Sequence, residues 1–235
     1  PSDLVAVRKA ALLFEVGAGL EVWVTSLVKN AGNASLQVIT TSKDIPLIHD
    51  QTEPAGDAHG HAHQAGNPHV WLDPASAATM VQHIANAMAT ADPVHATDYR
   101  TNTTIYLQTL AQAQEETLGL LKQVPNRAVI VHHPAWPYFA QRYDLRIAGI
   151  ILPQPGGEPS ARHLHSLIET IKRDHIRVII SEVQLNQKIP QLLARETGAH
   201  IAVLTTLPGG LPGTETYLDM LRYNVLQLAR ALEQT

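Results

Sequence analysis

The sequence predicts an α/β protein built on parallel β-sheet, and three observations predict it. From Pro125 onward, four strand-length apolar runs alternate with helical patterns. Before Asp92, two more strand-length runs sit among helical segments. Between these regions, from Asp92-Pro93 to about Gln123, one amphipathic pattern runs unbroken. A helix of that length spans roughly 45 Å at ~1.5 Å per residue, which suits a rigid strut joining two lobes. The expected division is an N-terminal lobe over 1–92, a linking helix over 93–124 and a C-terminal lobe over 125–235.

In the first lobe, Ser2 or Asp3 is placed to cap a helix that runs to about Lys9. The run "ALLFEVG" has strand length and ends at Gly17. Gly19–Asn30 follows as a helix, with Leu20, Trp23, Val24, Leu27 and Val28 at helical spacing. "AGN" stops it, and "LQVIT" reads as a second strand. The histidine-rich segment after it is a loop. Asp73-Pro74 then supplies an N-cap and a first helical residue for a helix over 74–91.

Along the strut, Tyr99, Tyr106, Leu110, Ala113, Leu120 and Leu121 fall on one face. Beyond Pro125, "AVIVHH" precedes a helix to about Arg142, and "RIAGIIL" precedes one over 159–172. "RVIISE" is followed by a helix near 187–197, and "HIAVLT" by a last helix at about 215–233. Strands separated by helices make a parallel sheet with both faces covered. Such sheets bind ligands beyond the C-terminal ends of their strands. His133, Glu182 and Thr205 each stand at such an end.

Composition narrows the function. The chain has 235 residues, 45% hydrophobic and 16% charged, which is ample for a packed core and excludes global disorder. A net charge of -4 without a Lys/Arg cluster argues against nucleic acid as a partner. The absence of cysteine removes disulfides, thiolate metal sites and a cysteine nucleophile. No apolar run approaches the ~18 residues of a membrane-spanning helix. The opening at Pro1, directly on a helix start, is what a processed or trimmed form is expected to show.

The 13 histidines are not one kind of feature. His59, His61 and His63 lie in "HGHAH" among Gly, Ala, Gln and Asp, a composition expected of a solvated loop that is either a polar linker or a weak chelator of Zn²⁺ or Cu²⁺. His69 is pinned instead, after Asn67-Pro68 and before the apolar "VWL" and a helix start. His133 ends a strand ahead of Pro134, so its ring projects from the sheet edge, while His132 faces the other side. Either of the two, taken alone, reads first as a structural histidine. Together at opposed lobe edges they could meet across a cleft as N donors for Zn²⁺, Mn²⁺ or Fe²⁺. His163 and His165 are two apart on a helix and point to different faces.

Four motifs occur in family order: "VGAGLEVWVTSLVKNAGN", "NPHVWLDP", "HHPAWPYFAQRYDL" and "ETYLDMLRYN". They resemble the zinc/manganese-binding solute-binding proteins of bacterial ABC importers, and the resemblance runs from Pro1 to near Thr235. It implies two α/β lobes joined by one long helix, with the metal site in the cleft between them. His69 matches the second histidine ligand of that family, and His133 matches the third. The histidine-rich loop resembles that of the zinc-type members. Two departures stand out. The family's first histidine, and the strand–helix–strand unit around it, would lie upstream of Pro1. The usual Asp ligand after the last strand falls near Thr205, where this chain reads "TTLPGGLPGTETY". Glu182, ending the adjacent strand, is the nearest carboxylate that could serve, directly or through water.

The resemblance therefore implies a non-catalytic role: capture of a divalent transition metal and delivery to the membrane permease of an ABC importer. The metal residues expected are His69 and His133, matched to the family, and Glu182, which by its place at a strand end either replaces the missing acid or caps the following loop by accepting backbone N–H groups. Two imidazoles with at most one carboxylate favour Zn²⁺, with Mn²⁺ as the alternative. The expected state is a monomer in the periplasm or on the outer face of the cytoplasmic membrane. A metal-dependent enzyme, a chelatase or hydrolase using the same His and Glu residues, is the competing reading, and a purely adhesive surface protein is a third. The enzyme lacks support in the sequence: there is no second base within a motif, no nucleophile elbow and no phosphate loop.

Overall fold

A computed structural model describes residues 2–49, 66–122, 124, 126–154 and 157–233. The "HGHAH" histidines, and the metal-chelating loop expected there, lie outside the described residues. The chain forms two compact units, Pro1–Thr109 and Leu110–Thr235.

The first unit contains α1 (Ser2–Lys9), β1 (Leu12–Glu15), α2 (Val24–Ala31), β2 (Gln37–Thr40) and α3 (Pro74–Ala91). β1 and β2 pair in parallel, Leu12 opposite Gln37 and Glu15 opposite Thr40. The helix expected from Gly19 begins instead at Val24. Gly17, Ala18 and Gly19 hold φ of 80°, 52° and 81°, the left-handed region, which an α-helix cannot contain. Glu21 secures this turn, its two carboxylate oxygens accepting the backbone N–H groups of Val16 at 2.9 Å and Gly17 at 3.0 Å. The inward face of α2 is therefore Val24, Leu27, Val28 and Ala31, and Trp23 is left 59% exposed. α3 starts where Asp73-Pro74 predicts. The Asp73 carboxylate caps it by accepting from the N–H groups of Ala75 and Ser76, both at 3.2 Å.

A short 3-10 turn, Pro93–His95, leads into α4 (Ala96–Leu121), whose 26 residues span about 39 Å. The boundary between the two units falls inside this helix. In its C-terminal half, Leu110, Ala113, Thr117 and Leu121 are buried, whereas Leu120 is 43% exposed and does not belong to the face expected for it. Thr117 takes the place at helical spacing between Ala113 and Leu121. Its hydroxyl is satisfied by the Ala113 carbonyl at 2.9 Å and the Tyr143 hydroxyl at 2.9 Å. Satisfaction of that kind lets a polar residue sit in a core seam.

The second unit continues with β3 (Ala128–Val131), α5 (Pro137–Arg142), β4 (Arg146–Ile150), α6 (Ala161–Arg173), β5 (Val178–Glu182), α7 (Lys188–Thr197), β6 (His200–Leu204) and α8 (Tyr217–Glu233). All four strands are parallel, in the order β4-β3-β5-β6. β3 and β5, the inner strands, are buried at every residue, as strands covered on both faces must be. On one face Ile130 and Ile179 pack with Leu167 and Ile171 of α6 and Leu193 of α7. The α/β class with parallel sheets, flanking helices and one long joining helix is thus the fold observed. Among the described residues no helix is long and apolar enough to cross a membrane.

Candidate metal centre

Strand order decides where chemistry can gather in the second unit. The chain leaves β3 for β4 on one side, then returns to lay β5 on the other, so connections diverge between β3 and β5. A crevice opens at the carboxyl ends of strands at such a point. His133 follows β3, and Glu182 ends β5. Val131 lies opposite Ile180 in the ladder, and His132 N–H still donates to the Ile180 carbonyl at 2.9 Å. Two residues further, the same register brings His133 level with Glu182. Their side chains meet, His133 Nδ1 against Glu182 Oε2.

Glu182 is 1% exposed, so its oxygens must be satisfied within the protein. The other one, Oε1, accepts from the indole Nε1–H of Trp136 at 2.9 Å. Trp136 is itself wholly buried and held edge-on to Phe139, with ring centroids 5.4 Å apart. Phe139 in turn packs against Tyr143 at 4.6 Å. The carboxylate is therefore anchored through an aromatic stack, and the His133 side chain, 28% exposed, is its more solvent-facing partner.

Beneath this pair runs a second polar chain. His132 is buried, with Nδ1 3.1 Å from Ser181 Oγ. Ser181 gives its one proton to Gln187 Oε1 at 2.8 Å, so it accepts from His132. Gln187 passes its own N–H groups to the carbonyls of Glu182 and Leu185. Burial pushes the His132 imidazole below its ordinary pKa, with Glu182 pulling it up and His133 pulling it down. His132 is thus tied to the end of β5 through Ser181 and Gln187.

Thr205 follows β6 as expected but is committed elsewhere. Its backbone N–H and C=O bond the Asn224 side chain at 3.1 and 2.8 Å, and its hydroxyl donates to the Leu207 carbonyl at 2.9 Å. Gly210 closes over it so tightly that an added Cβ would lie 2.2 Å from Thr205 Oγ1. Where the resembled family places a carboxylate, this chain has a loop-fastening hydroxyl.

In the first unit, His69 is set by the residue two places before it. Asn67 Oδ1 accepts the His69 backbone N–H at 3.0 Å, an Asx turn that settles which end of the amide is oxygen. The same oxygen lies 3.0 Å from His69 Nδ1. Facing an acceptor, Nδ1 must carry the proton, which leaves the lone pair on Nε2. The Trp71 ring lies 5.3 Å from the imidazole and limits its rotation.

The structure thus joins His133 to Glu182 and places His69 in the other unit. Among the described residues, no three His, Asp or Glu side chains cluster as a metal site. His163 and His165 are used locally, His163 Nε2 on the Ile150 carbonyl at 2.8 Å and His165 near Glu169. Two supporting residues escaped the sequence reading. Asn67 carried a usable signal, since Asn two residues before a pinned side chain is the pattern of an Asx turn. Trp136 carried none.

A parallel α/β protein with a histidine–carboxylate pair at its switch point is, by class, built for holding a ligand at the strand ends. The particular family follows from comparison. The chain belongs to the family described as "Zinc-uptake complex component A periplasmic", whose model matches residues 1–231. It is 28% identical over 96% of its length to a "Putative metal-binding protein" of Treponema pallidum (strain Nichols), covering 72% of that protein. It is 27% identical over 92% of its length to the "Zinc-binding lipoprotein AdcA" of Streptococcus pneumoniae (strain ATCC BAA-255 / R6), of which it spans only 44%. Among solved structures, a crystal structure of ZnuA superimposes with a TM-score of 0.84 at 27% identity, covering 99% of this chain and 84% of that one.

Proposed function

We propose that this chain captures Zn²⁺ outside the cytoplasmic membrane and delivers it to the permease of an ABC importer, without catalysis. His69 and His133 serve as the ligands from the two units, and Glu182 is the third residue of the site. In this reading residues 93–124 link an N-terminal lobe, 1–92, to a C-terminal lobe, 125–235, and the protein acts as a monomer. The observation that carries it is shared by both histidines: an oxygen lies against Nδ1, Asn67 Oδ1 in a hydrogen bond at 3.0 Å in one case and Glu182 Oε2 in close contact in the other. Ligating imidazoles are held in this way, with the far nitrogen left to the metal. Membership of a zinc-uptake family supports the choice of cargo. The donor chemistry agrees, because an imidazole-rich, carboxylate-poor site favours Zn²⁺ over Mn²⁺.

The test is a chelator-competition titration of the protein with Zn²⁺ and with Mn²⁺, repeated for His69→Ala and His133→Ala. One tightly held Zn²⁺ per chain is expected, preferred over Mn²⁺ and lost in either variant. Tight binding that survives both substitutions would place the site elsewhere and refute this assignment.

A further inference from the structure

Resting on the metal-capture reading, we propose that Glu182 is a positioning residue rather than a zinc ligand: with Trp136 it locks His133 in the tautomer whose Nε2 can bind the metal. Trp136 supplies the argument. An indole N–H can only donate, so the Oε1 it approaches at 2.9 Å can only accept. The remaining oxygen, Oε2, is in contact with His133 Nδ1, and a carboxylate has only acceptors to offer there. The contact falls outside hydrogen-bond geometry in this structure, and as proposed Nδ1 holds the proton that faces this carboxylate oxygen, with the lone pair on Nε2. For Glu182 to coordinate zinc it would have to release one of these partners. Releasing the indole strands an N–H in a residue with no exposed surface. Releasing His133 surrenders control of the ligand ring.

The lock makes an unusual mutational prediction. In Glu182→Gln the shape is kept but only one acceptor remains. Trp136 Nε1–H claims that oxygen, so the amide NH₂ faces His133 Nδ1, which must then hold the lone pair while the proton moves to Nε2. Adding Trp136→Phe removes the competing donor and lets the amide turn its oxygen back to His133. The second substitution should therefore repair the first.

The experiment reads the His133 tautomer directly, by long-range ¹H–¹⁵N NMR on metal-free, full-length protein above the histidine titration range. Zinc affinity is measured in parallel by chelator competition. The wild type should show the Nδ1–H form, Glu182→Gln the Nε2–H form, and Glu182→Gln/Trp136→Phe the Nδ1–H form again. Zinc affinity should fall about 10–100-fold in the single variant and recover most of that loss in the double variant. The proposal is overturned by an Nε2–H His133 in the wild type, a reading that stands even where a variant fails to fold. It is equally overturned if Glu182→Gln leaves the tautomer unchanged, or if its zinc deficit is not relieved by Trp136→Phe. Failure of the wild type to bind zinc tightly refutes the capture reading instead. The tautomer pattern, which needs no metal, separates the two.

Discussion

At the residue scale, histidines of equal chemistry part company through the atom that faces each Nδ1. His133 meets a buried carboxylate and His69 a buried amide oxygen, while His165 lies 3.6 Å from Glu169, one helical turn away and exposed to solvent. An exposed i,i+4 pair of that kind is worth little and orients nothing. His133→Ala should weaken zinc binding by more than the roughly 10–100-fold that loss of a supporting partner costs, whereas His165→Ala should leave the affinity unchanged. Competition titration of the two variants checks this, and equal losses would count against His133 as a ligand.

At the element scale, β4 and α6 close tightly over β3. Gly149 in β4 allows that approach, since an added Cβ would lie 2.6 Å from Leu167 Cδ2 and 3.1 Å from Ile130 Cδ1. Both neighbours are buried in the core beneath the sheet. The β3–β4 ladder also slips in register between Val129 and Ile130, beside this contact. Overfilling such a core costs about 1–3 kcal/mol, so Gly149→Ala should destabilise the protein by that amount in denaturant unfolding. An unchanged midpoint would mean that the Leu167 side chain moves aside freely. His133 lies three residues beyond Ile130, the ladder partner of Gly149, and its carboxylate partner comes from β5 rather than β4, so zinc affinity at temperatures well below unfolding should persist.

At the scale of the whole molecule, the proposed ligands His69 and His133 belong to different compact units. A ligand bound only to the folded state stabilises it by about 2.7 kcal/mol at a hundredfold excess over its dissociation constant. Calorimetric scans should therefore show every unfolding transition of the chain moving upward with zinc, and neither moving in a His69→Ala/His133→Ala variant. Were zinc held by the histidine-rich stretch alone, the unit formed by residues 110–235 would unfold at the same temperature with and without it.

The amino-acid order by itself determined a good deal of this. Apolar runs of strand length between helical patterns are local features, and all six strands among the described residues fall where those runs lie. Asp73-Pro74 announced the start of α3, and the strand ends announced His133 and Glu182, because caps and strand ends are set by neighbours in sequence. The start of α2 was less legible: Glu21 folds back on Val16 and Gly17, and the apolar spacing of Leu20 and Trp23 gives no sign of it. Only the tertiary structure decided that His133 and Glu182 touch. That contact requires β5 to lie beside β3 rather than β4, and strand order is set by how helices pack over the sheet, which no local periodicity encodes. It also decided the fate of Trp136, whose indole N–H had to find an acceptor once its ring was buried among Phe139 and Tyr143. A buried donor takes whatever acceptor the packing brings near, and here the packing brought the carboxylate that holds a histidine.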